Sequence, residues 1–142
     1  MRNKVKWIIT LIVGLCLIAA VIGIAVKLDR STTDERLGSE AYSIGIIDVE
    51  GDVDKTEKTS IYTRNSLDLD GLSIELADDA EITYSLFFYD VKDRFLSEGT
   101  ELSVAPEGAE SVRIVITPVD DDEVTLLEVS GYANQLIVKI AK

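Results

Sequence analysis

The chain changes its hydrophobic pattern twice. Residues 7–26, WIITLIVGLCLIAAVIGIAV, form an unbroken apolar run with no charged side chain, bounded by Lys6 and Lys27. At 1.5 Å per residue a helix of this length reaches about 30 Å, the thickness of a hydrocarbon core. Residues 27–40, KLDRSTTDERLGSE, are polar and show no apolar period, as expected of a linker. From Ala41 onward, short apolar runs alternate with turn residues about every eight to twelve positions, the spacing of a sandwich or barrel.

That last region predicts strands rather than helices. Expected strands are Tyr42–Val49, Ser60–Thr63, Leu67–Leu69, Leu72–Leu76, Ile82–Tyr89, Arg94–Leu96, Val112–Thr117, Val124–Val129 and Gln135–Ile140. Ile82, Tyr84, Leu86 and Phe88 share one face of the longest run, and Thr83, Ser85, Phe87 and Tyr89 the other. Glu50-Gly51-Asp52, Asp70-Gly71, Asp78-Asp79 and Asp90–Asp93 supply turns. The fold class expected is all-β: a two-sheet antiparallel sandwich of jelly-roll type with about eight strands, preceded by one transmembrane helix.

The apolar run is too long for a cleaved signal peptide, so an uncleaved anchor is expected, with cleavage after Ala25 as the alternative. Cys16 follows Leu15 and is followed by ten more uncharged residues, which argues against a lipoprotein signal. Arg2, Lys4 and Lys6 precede the span, whereas Lys27 and Arg30 follow it among Asp29, Asp34 and Glu35. This asymmetry places residues 1–6 in the cytoplasm. The expected organisation is a single-pass membrane protein with a tail over 1–6, a bilayer-embedded helix over 7–26, a linker over 27–40 and an extracytoplasmic domain over 41–142.

Composition narrows the chemistry. After the span, 11 basic residues face 26 acidic ones, a net charge of −15. Such a field repels phosphate backbones, so no nucleic-acid partner is expected. The chain has no histidine, and its single cysteine lies in the apolar run. Serine–histidine catalysis, thiol catalysis, Cys/His zinc binding and disulfides are therefore excluded from the domain. Ser-x-x-Lys, P-loop and Gly-x-Gly-x-x-Gly motifs are absent from the sequence. The expectation is a protein that is not an enzyme.

Residues 82–140 resemble the jelly-roll, galactose-binding-like modules of bacterial surface proteins. The likeness rests on Tyr89-Asp90 closing an aromatic strand, the hairpin into Phe95-Leu96, the loop with Pro106 and Gly108, and the strand Val112–Ile116. Ile61-Tyr62-Thr63 and Asp70-Gly71-Leu72 fit the same pattern. The resemblance implies a carbohydrate-binding-type domain recognising a glycan or cell-envelope polymer.

Sugar recognition combines an aromatic face with groups that bind hydroxyls. Tyr62, Arg64, Tyr89 and Arg113 are the candidate ligand residues, with Phe87 and the pair Tyr132 and Asn134 as further outward positions. No cofactor is expected beyond a structural calcium ion, for which Asp120 and Asp122 in the run Asp120–Glu123 are the candidate oxygen donors. The alternative to glycan binding is an interaction protein that docks onto another envelope protein through a strand edge or this acidic loop.

Overall fold

The computed structural model describes residues 34–141, which form one compact unit from Asp34 to Ala141. The expected span at 7–26, the tail before it and most of the linker lie outside the described residues. Among the described residues no helix is long and apolar enough to cross a membrane.

The domain is built from eleven strands, most of them short. They are β1 (Glu35–Arg36), β2 (Tyr42–Ile44), β3 (Ile46–Ile47), β4 (Val53–Asp54), β5 (Ile61–Thr63), β6 (Leu67–Asp68), β7 (Leu72–Leu76), β8 (Ile82–Tyr89), β9 (Phe95–Gly99), β10 (Ser111–Pro118) and β11 (Leu136–Ile140). One helix, α1 (Val129–Ala133), and two 3-10 turns, Ser39–Ala41 and Leu102–Val104, complete the domain. All strand pairs are antiparallel.

Two sheets enclose the main core. The larger runs β2-β5-β10-β8-β9, with β6 also paired to β10. The smaller runs β1-β11-β7. Ile61, Leu86, Phe88, Val112, Ile114 and Ile116 from the first meet Leu136 and Val138 from the second, with Leu72 and Ile74 partly buried against them. The period-2 alternation predicted for 82–89, 72–76 and 136–140 puts these apolar residues on the facing sides.

The larger sheet is apolar on both faces. On its outer face Tyr62, Phe87, Tyr89 and Val115 form a second buried cluster with Ile47, with Val53 and Phe95 packed against it. The cover is the β3–β4 hairpin. Its tip is closed by backbone bonds from Asp48 to Asp52 at 2.8 Å and from Gly51 to Asp48 at 3.0 Å. The Asp48 carboxylate accepts from the amides of Glu50 and Asp52. Asp48, expected to end a strand, thus shapes the turn by accepting nearby N–H groups with its side chain.

Four expectations differ from the structure. Tyr42–Val49 is not one strand: it breaks at Gly45, whose φ of 149° turns the chain from the sheet onto the hairpin. The linker expected through residue 40 ends earlier, because Glu35 and Arg36 pair with Ile140 and Lys139. Both are exposed on an edge, so no apolar alternation marked them. Val124–Val129 is not a strand. The Thr125 amide and hydroxyl both donate to the Glu128 carboxylate, at 2.8 and 2.9 Å, and this closes a turn that leads into α1. Leu126 and Leu127, which suggested a strand, are 83% and 94% exposed. Phe87 and Tyr89, expected to face outward, are buried beneath the hairpin.

Candidate functional site

The ladder between β2 and β5 decides what the edge of the larger sheet offers. Tyr42 lies opposite Thr63, Ser43 opposite Tyr62 and Ile44 opposite Ile61. The Arg64 amide donates to the Ala41 carbonyl at 2.9 Å, and the Gly45 amide to the Ser60 carbonyl at 2.9 Å. Antiparallel pairs alternate between bonded and non-bonded, so residues 41, 43 and 45 turn their backbone groups toward β5. Tyr42 and Ile44 turn theirs outward. The Tyr42 amide is taken by Ser39 in the 3-10 turn, and its carbonyl accepts from Arg64 Nε at 3.2 Å. Ile44 is left with an outward N–H and C=O that the sheet does not use.

A groove of about 480 Å³ runs along this edge. Its walls are Ile44, Tyr42 and Tyr62 on the sheet side, with Leu126, Val129 and Ser130 at the start of α1. Ser39, Glu40, Ser43, Lys55 and Arg64 supply its polar groups. Arg64 Nε also donates to Ser43 Oγ at 2.7 Å, which lays the guanidinium along β2.

The four predicted ligand residues separate into different roles. Tyr62 is 4% exposed and touches the groove from within the second cluster. Tyr89 is 5% exposed, and its hydroxyl donates to the Gly51 carbonyl at 2.9 Å, pinning the hairpin tip. Burial pushes its pKa up to about 12. Neither ring is presented as a stacking platform. Arg113 seals the gap where β5 hands over to β6 along β10. Its Nη2 donates to the Arg64 carbonyl at 3.1 Å, while its Nε is buried without a hydrogen-bond partner among the described residues. Thr63 closes the same gap, its hydroxyl accepting from the buried Ile114 amide at 3.0 Å. Of the four, only Arg64 is exposed in the groove.

Asp120 and Asp122 lie on an exposed loop. Among the described residues no group of three or more His, Cys, Asp or Glu is arranged to hold a metal ion. A second, shallower cavity of about 320 Å³ gathers Asp68, Asp90, Asp93 and Glu110 with Ser66 and Ser111. Two of its carboxylates serve local turns, and that of Asp93 accepts from the Ser66 hydroxyl. Asp68 accepts from the Asp70 amide, and Asp90 accepts from the amides of Lys92 and Arg94 and pairs with the Arg94 guanidinium at 2.8 Å. The bonds from the Arg94 amide and side chain hold the Asp90 carboxyl below the usual carboxylate range.

Ile44, Lys55, Leu126 and Val129 were not readable as site residues from the chain alone. The usable signal was the Leu126-Leu127 pair beside the acidic run, an apolar doublet at a turn. Comparison with protein-family models, with curated proteins and with solved structures finds no match for this chain.

Proposed function

We propose that the chain is a membrane-anchored, extracytoplasmic docking module without catalytic activity, held to the bilayer through residues 7–26. It recruits an extended segment of an envelope partner along the β2 edge. The observation that carries this reading is the groove at that edge, where Ile44 turns a backbone donor and acceptor away from β5, with no backbone partner across an element boundary among the described residues, between a basic and an apolar wall. An added strand satisfies both groups at once and covers Leu126, which is 83% exposed. The absence of histidine, of a second cysteine and of nucleotide-binding motifs from the sequence agrees with a binding role. We read the sandwich as a variant of the jelly-roll, galactose-binding-like architecture. Because Tyr62 and Tyr89 are buried, the geometry favours a polypeptide over a glycan ligand.

Site-specific photo-crosslinking in native membranes tests this. A photoreactive residue at position 126 is expected to capture a partner protein. The same residue at position 104, an exposed site beside Gly99 of β9, is expected to capture none. Equal capture from both positions, or from neither, contradicts the assignment.

A further inference from the structure

The groove is a site of reversed charge on an acidic molecule. Acidic residues outnumber basic ones by 26 to 14 along the chain. Arg94 pairs with Asp90, whereas neither cation of the groove forms an ion pair among the described residues. Among the described residues the Arg64 side chain bonds only to the Tyr42 carbonyl and the Ser43 hydroxyl, and Lys55 has neither a hydrogen bond nor an ion pair. Both line the groove, and the single carboxylate there, Glu40, is folded back against Gly38.

We infer that the docked segment alternates acidic and apolar side chains, its carboxylates seated on Lys55 and Arg64. This rests on the docking reading above and adds the chemistry of the partner. A strand paired to β2 continues the alternation of the sheet. Side chains beside Ser43 point to the outer face, where Arg64 lies. Those beside Ile44 point to the other face, where Val129 packs with Ile44 against the main core. Acidic residues thus meet the two cations, and apolar residues meet Val129 and Leu126. A planar guanidinium accepts a carboxylate with two parallel bonds, and the geometry fits Arg64 once the incoming strand covers the Tyr42 carbonyl. A basic segment would be drawn to the rest of this acidic surface and would be repelled here.

The test is panning of a random dodecapeptide display library against the full chain in phosphatidylcholine nanodiscs. Enriched peptides are expected to alternate Asp or Glu with apolar residues. Lys55→Glu, at an exposed residue without bonds, is expected to weaken a synthetic enriched peptide by more than about tenfold, as is Arg64→Glu. Failure to enrich any peptide over empty nanodiscs overturns the docking reading itself. Enrichment of basic or uncharged peptides, or unchanged affinity in Lys55→Glu, leaves the groove as a docking site and overturns the acidic partner. Self-association of the chain that competes with the peptides assigns the groove to a second copy and overturns it too.

Discussion

Phe88→Ala is expected to lower the thermal unfolding midpoint by roughly 15–30 °C, the largest single effect in the domain. Phe88 is completely buried near the C-terminal end of β8, opposite Val112 on β10 and Ser97 on β9. Its ring contributes to the core shared by both sheets. Removing it forfeits transfer energy and leaves a cavity, about 3–5 kcal/mol together. Domains of this size have total stabilities of about 5–15 kcal/mol, so a large share of the margin disappears. A thermal scan followed by circular dichroism reads the change. A shift of only a few degrees would mean that the two sheets do not depend on a shared core.

Gly45→Val is expected to detach the β3–β4 hairpin while leaving the main core folded. At φ of 149° a β-branched residue is strained, at about 1–3 kcal/mol. There is no space either: a Cβ at this position would lie 2.9 Å from the Asp54 carbonyl and 2.9 Å from the Tyr62 ring. The hairpin has only two residues in each strand, and beyond its Ile47 and Val53 contacts and the Tyr89 bond to its tip there is little ladder to hold it. Tyr62, Phe87 and Tyr89 would then be uncovered, and binding of a hydrophobic dye should rise steeply without loss of far-ultraviolet signal. Unchanged dye binding would show that the chain can turn at residue 45 without glycine. The same substitution distorts β2 next to Ile44, so peptide docking should fall with it.

The long strands were legible because burial on one face imposes a strict alternation. Leu72, Ile74 and Leu76, and Leu136, Val138 and Ile140, pair in register as the pattern implies. Ile82–Tyr89 was read with its correct limits. What failed was the second face of that strand. Phe87 and Tyr89 alternate with the core residues, which in a two-layer sandwich means solvent, yet a third layer two residues wide covers them. Nothing in Ile46–Ile47 or Val53–Asp54 announces that layer, because its place is set by packing on Tyr62, Phe87, Tyr89 and Val115, most of them distant in sequence. Arg113 was singled out as a ligand residue on type alone. Its place at a gap between strands is a consequence of where β5 stops, at Thr63. Arg64 was found because an exposed cation beside an aromatic strand is a local signal. Its partners in the groove were missed because 44, 55, 126 and 129 come together only through the fold.

The most direct measurement is amide hydrogen exchange at Ile44 in the full chain, with and without a saturating enriched peptide. Strand addition at β2 predicts that the Ile44 amide, which points outward in the free protein, becomes at least tenfold slower to exchange, roughly the loss of one ladder bond's openness. Ser43, whose backbone already faces Tyr62 in the ladder, should change far less. A bound peptide that leaves Ile44 exchanging at its free rate would contradict docking along β2.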